Sequence, residues 1–89
     1  MPQRRLLIQN VKGLHARASA RLVEVVEAHD AQATVSKDGM STSGDSIMGL
    51  LMLAAGLGSE IDVETEGPEA DDLMEAIAAL VNDKFGEGD

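Results

Sequence analysis

The sequence contains no cysteine, no tryptophan and no tyrosine, and Phe85 is the one phenylalanine among its 89 residues. Without cysteine there is neither a disulfide framework nor thiolate chemistry. Without stacking aromatics there is no platform for bases or sugars, and the core is expected to be aliphatic and filled out with methionine. Positive charge is scarce as well: seven Lys and Arg stand against sixteen Asp and Glu, for a net charge of −9. So acidic a chain repels phosphate backbones and anionic bilayers, which argues against nucleic acid and membrane as partners and for basic or locally apolar ones. No apolar run approaches the ~18 residues of a membrane helix. Met1 to Arg5 and the short apolar run after them do not make a signal peptide, so a cytoplasmic address is expected. What remains is a 44% hydrophobic share, enough for an ordinary core. Residues 1–89 are expected to form one monomeric domain that buries somewhat over ~60% of its unfolded surface, with 86–89 as a frayed tail.

The patterning of apolar residues divides the chain into seven elements. Arg5 to Gln9 reads as a strand with Leu6 and Ile8 on one face and Leu7 on the other. Turn chemistry follows from Asn10 to Gly13. Ala16 to Ala28 then sets Ala18, Leu22, Val25 and Val26 at helical spacing, with Arg17, Arg21 and Glu24 on a wet face. Ala31 to Lys37 alternates as a half-buried strand, Asp38-Gly39 suits a two-residue hairpin turn, and Met40 to Ser43 returns antiparallel. The apolar run Ile47 to Ala55 is too long for a typical strand and predicts a helix that begins just after Ser46 and ends before Gly56. Glu60 to Glu66 alternates with Ile61, Val63 and Thr65 inward and four carboxylates outward. Leu73, Met74, Ile77, Leu80 and Val81 form a last helical stripe behind Glu69, Asp71 and Asp72. The order β-α-β-β-α-β-α predicts an α+β open-faced sandwich: a four-stranded antiparallel sheet with three helices on one face.

The segment Gly13-Leu14-His15-Ala16-Arg17-Ala18-Ser19 places a histidine where a glycine turn meets a helix. Free backbone N–H groups of the first turn, roughly half a positive charge from the helix dipole, and the Arg17 cation together favour an anion. A neutral imidazole there could act as a nucleophile toward phosphorus and then hold a phosphoryl dianion. From spacing alone, His15 reads equally as a helix-capping or simply exposed histidine. Ser46 fits the N-cap of the second helix. Ile47, Met48, Leu51 and Met52 exceed what one buried face of a thin helix needs, which leaves either a generous core stripe or an exposed methionine-rich docking patch. His29 reads as a partner for the C-terminal end of the first helix. Gly56-Leu57-Gly58 lacks the rest of a dinucleotide fingerprint, and Asp71-Asp72 and Glu87 to Asp89 read as solvated charges, so neither a cofactor nor a metal site is expected.

Taken in order, the Gly-Leu-His-Ala-Arg segment, the hairpin before Gly44, the Ser46-Ile47-Met48-Gly49 helix start and the closing helix resemble, over essentially the whole chain, the HPr-type phosphocarriers of bacterial phosphoenolpyruvate-dependent phosphotransferase systems. Within that family, Asn82-Asp83-Lys84-Phe85 and Leu50-Leu51-Met52-Leu53 look like the nitrogen-related branch, NPr. The resemblance implies that enzyme I phosphorylates His15 on its δ1 nitrogen from phosphoenolpyruvate, and that the group passes to a histidine of an enzyme IIA protein. It also implies that Arg17 and the backbone of Ala16 and Arg17 stabilise the phosphoryl group, and that Leu14, Ile47, Met48 and Leu51 dock partners. Ser46 matches a serine that an ATP-dependent HPr kinase/phosphorylase modifies in many members. The chain departs from the family in having Ala18 where proline is common, and Glu24 and Glu27 where lysines are frequent. Two other classes stand beside this reading: a regulatory module that docks partners through Ile47, Met48 and Leu51 without phosphotransfer, and a small phosphohydrolase of acylphosphatase type. The latter should carry a basic glycine-rich anion loop near its N-terminus, which this sequence lacks.

Overall fold

Four strands and three helices alternate along the chain in the computed structural model, which describes residues 2–87. Strand β1 spans Gln3–Leu7, helix α1 Ala16–Glu27, β2 Gln32–Lys37, β3 Met40–Ser43, α2 Ile47–Met52, β4 Glu60–Glu66 and α3 Ala70–Asn82, with a closing 3₁₀ turn at Lys84–Gly86. The sheet is antiparallel throughout in the order β1-β4-β2-β3. Its register sets Leu6 opposite Ile61 and Val35 opposite Val63, so these apolar side chains share the face that the helices cover. Arg5, Asp62, Ser36 and Ser41 form a row across the other, solvated face, where the alternation of β4 also places its carboxylates. The expected α+β open-faced sandwich is what forms.

Local chemistry explains the joints. Asp38 and Gly39 both have positive φ, 51° and 83°, the geometry of the tight hairpin turn that Asp-Gly favours. Ser46 caps α2: the Gly49 N–H donates to its Oγ at 3.1 Å. Gly49 cannot carry a side chain, because a Cβ there would lie 1.8 Å from Thr42 Oγ1. Helix α2 therefore sits directly on β3.

Two boundaries and the make-up of the core differ from the sequence reading. Strand β1 begins two residues earlier and ends before Ile8, because its pairing with β4 runs from Gln3 opposite Glu64 to Leu7 opposite Glu60. Helix α2 stops at Met52, with Leu53 as its C-cap and Ala54 turned to φ 53°. The core holds only Met74 among the described methionines, while Met40, Met48 and Met52 are exposed. Leu, Ile, Val and the fully buried Phe85 fill it instead.

The chain end also differs. Gly86 and Glu87, read as part of a frayed tail, are held in place: the Arg21 guanidinium donates to the Phe85 carbonyl at 3.0 Å, and Glu87 folds back over the segment preceding α1. Lys84, Phe85 and Gly86 take φ of 53°, 55° and 74° in succession. That left-handed run costs energy for the two non-glycine residues, and burial of the Phe85 ring holds it. Gly88 and Asp89 lie outside the described residues.

Candidate functional site

The turn before α1 is built by close backbone approach. Gly13 has φ 63°, and a Cβ on it would fall 2.3 Å from the Ala55 carbonyl oxygen; glycine is the residue that meets both demands. The neighbouring Leu14 N–H donates to that same carbonyl at 2.8 Å. These contacts tie the end of α2 to the beginning of α1, so the two segments singled out in the sequence meet. Leu14 itself, expected among the docking residues, is only 4% exposed and belongs to the core. Its apolar side chain anchors the turn inward and offers no surface to a partner.

His15 is the N-cap of α1, in extended backbone, and its ring accepts a hydrogen bond at Nδ1 from the Arg17 N–H at 3.3 Å. Capping and anion-site readings thus describe one geometry. Because Nδ1 faces a donor, it presents its lone pair; because Nε2 faces the Glu87 carboxylate, it carries the proton. The side chain is 27% exposed. Ala16 belongs to the first turn, where backbone N–H groups have no intrahelical acceptor. Ala18, in place of the family's common proline, is fully buried against the core.

An open cleft of about 490 Å³ surrounds this ring, lined by Lys12, His15, Ala16, Arg17, Arg21, Gly86 and Glu87. Three of the chain's seven basic residues therefore gather where the histidine is, although the molecule as a whole is strongly acidic. Sequence reasoning named Arg17 alone. Arg21 follows it by one helical turn and was legible as its neighbour, whereas Lys12 was hidden in turn chemistry. Glu87 was misread as a solvated charge. Its carboxylate accepts from the Asn10 amide at 2.9 Å and pairs with His15. Hydrogen bonds from Asn10 and then from His15 hold the Glu87 carboxyl below its ordinary range, against an opposing effect of burial.

The remaining candidates divide cleanly. Ile47, Met48 and Met52 are exposed on α2, Met48 by 68% and Met52 by 66%, and Leu51 is half-buried. Leu50 and Leu53 supply the packing, so the exposed methionine-rich patch is the reading that fits and the generous core stripe is not. Ser46 is a half-buried N-cap at the start of the same helix. The His29 Nδ1–H donates to the Val25 carbonyl at 2.8 Å, the expected service to the C-terminal end of α1. Among the described residues no group of three or more His, Asp and Glu side chains could hold a metal ion, and no helix is long and apolar enough to cross a membrane.

Comparison with known proteins shows what the chain is similar to. The protein-family model for the PTS HPr component phosphorylation site matches residues 2–83. The phosphocarrier protein HPr of Cupriavidus necator is 45% identical over 89 residues, covering the whole of both chains. The phosphocarrier protein NPr of Shewanella violacea is 40% identical over 85 residues, 96% of this chain and 93% of its own. The crystal structure of HPr from Thermoanaerobacter tengcongensis superposes with a TM-score of 0.93 at 32% identity over 98% of each chain.

Proposed function

Given that this chain belongs to the HPr family of phosphotransferase-system phosphocarriers, we propose that His15 accepts a phosphoryl group from phospho-enzyme I on Nδ1 and passes it to a histidine of an enzyme IIA protein. The family carries phosphate between enzymes and is not itself a catalyst of turnover. The observation that supports the site assignment is His15 Nδ1 accepting from the Arg17 N–H at the N-terminus of α1, inside a cleft with Lys12, Arg17 and Arg21. When Nδ1 bonds to phosphorus, the Arg17 N–H loses the lone pair it now caps and donates to a phosphoryl oxygen in its place. The Ala16 N–H and the helix dipole add to the same field, and the Arg17 guanidinium closes over the dianion. This relay would operate in the cytoplasm, with the whole chain as one carrier domain. The sequence of the branch is shared ground: relatives named HPr and NPr both match over most of the chain.

Arg17→Glu should slow phosphoryl transfer roughly 100-fold while weakening enzyme I binding far less, since it reverses a charge beside the group in flight and removes no apolar contact. Rapid-quench transfer rates set against binding by titration calorimetry check this; equal losses in both would remove Arg17 from the role.

Partners would dock on Ile47, Met48 and Met52, with Leu51 partly beneath them. Met48→Asp should weaken binding to enzyme I by about 2 kcal/mol, roughly 30-fold, yet change folding stability by no more than about 0.5 kcal/mol because the side chain is exposed. A large drop in thermal midpoint would instead make Met48 a packing residue. A phosphate on Ser46, placed there by a serine kinase, would sit at the N-terminus of the helix that carries this patch. Its charge of about −2 would act on docking without unfolding the helix.

A further inference from the structure

We propose that Glu87, anchored by Asn10, is a positioning residue for His15: its carboxylate keeps the proton on Nε2, aims the Nδ1 lone pair at the cleft, and balances the positive charge the ring acquires while it carries phosphoryl. The inference rests on His15 being the acceptor, as argued above.

Asn10 is fully buried, and its amide nitrogen donates both to the Gly13 carbonyl at 2.8 Å and to the Glu87 carboxylate at 2.9 Å. Both partners are acceptors, so the amide cannot be turned over: its oxygen would then face two oxygens. The result is that Asn10 Oδ1 is left buried with no partner, the sole such side-chain atom among the described residues. An orphaned buried carbonyl is costly. It is tolerated here because the amide is spent on the turn at Gly13 and on the carboxylate that meets His15. Glu87 is held from the other side as well. Its side chain is 11% exposed, and the turn before it is fixed by the buried Phe85 and by Arg21 on the Phe85 carbonyl. The carboxylate is thus supplied by a rigid element rather than by a loose end.

Chemistry gives this contact a purpose. As phosphoryl arrives, the Nδ1 lone pair forms the new N–P bond and the donor–phosphorus bond breaks, its electrons leaving with the donor. The His15 ring retains its Nε2–H and becomes cationic. In onward transfer the N–P bond breaks and its electron pair returns to Nδ1. A carboxylate on Nε2–H favours the cationic ring in both directions and holds the tautomer between them, the service an aspartate gives the histidine of a hydrolase triad. The charged groups facing the ring are Lys12 from the turn, Arg17 and Arg21 from α1, and Glu87 from the chain end. Glu87 is the single anion in that set. Because its folded pKa is depressed, the contact is complete above the ordinary carboxylate range and is lost only as pH falls through the lowered value.

Two readouts on the full chain test this. In ¹⁵N spectra of the unphosphorylated protein at neutral pH, wild-type His15 should show a protonated Nε2 and a bare Nδ1. Glu87→Ala should move both signals toward those of a free imidazole exchanging between tautomers. With phosphoenolpyruvate and enzyme I, Glu87→Ala should slow phosphoryl transfer roughly tenfold or more. Glu87→Gln, which removes the charge and leaves one acceptor oxygen for the two donors Asn10 and Nε2–H, should also slow transfer. Asn10→Ala should reproduce part of both effects. Wild-type ring signals together with wild-type rates in Glu87→Ala would overturn the proposal, as would slower transfer with unchanged ring signals in that variant. If the wild-type chain takes up no phosphate, the carrier reading falls, and the ring measurement still decides the role of Glu87.

Discussion

His15→Ala is expected to accept no phosphate from phosphoenolpyruvate and enzyme I while remaining folded. The imidazole is the sole side chain in the cleft that offers a nitrogen lone pair, since Lys12, Arg17 and Arg21 are cations that only donate. Its loss removes the bond-forming atom and leaves nothing nearby to substitute. The structural cost is small. The ring is partly exposed, and its one backbone partner is the Arg17 N–H at 3.3 Å, a cap worth about 1 kcal/mol or less. The Ser19 N–H still bonds the backbone carbonyl at position 15 at 2.9 Å, so α1 keeps its first turn. Circular dichroism should overlay on wild type while intact mass shows no phosphoryl gain. Phosphate uptake by this variant would remove His15 from the centre of the account.

Phe85→Ala is expected to produce the largest loss of stability of any single truncation at the chain end, about 3–5 kcal/mol by the usual cost of emptying a buried aromatic site. Phe85 is fully buried, and it is the side chain that compensates the left-handed run from Lys84 to Gly86. The substitution acts twice: it opens a cavity under α1 and α3, and it frees the turn that brings Glu87 to His15. Chemical denaturation should show a lower midpoint with a little-changed slope, and transfer should slow along with it. A shift of less than about 1 kcal/mol would mean that the core closes over the gap and that Phe85 does not hold the tail.

Much of this was legible in residue order because it is local. The alternation of Glu60 to Glu66 fixes β4 to the residue, Asp38-Gly39 fixes its hairpin, and Ser46 fixes the start of α2. Glycine before His15 signalled the turn into α1. What escaped is what depends on distant parts of the chain. The start of β1 is set by pairing with β4, which no pattern in Gln3-Arg4 discloses. Leu14 follows a turn and precedes a helix, a place that suits either surface or core; the approach of Ala55 decides for the core. Glu87 meets His15 from 72 positions away and Asn10 from 77. In the sequence it is one more acid near an acidic end, and only the buried Phe85 turns it inward.

The most direct measurement is the intact mass of the wild-type chain after incubation with phosphoenolpyruvate and enzyme I, followed by mapping of the modified residue. The account predicts a gain of one phosphoryl group, labile in acid and stable in alkali, located on Nδ1 of His15 and discharged by an enzyme IIA protein. No gain in mass, or a gain located on any other residue, would contradict it.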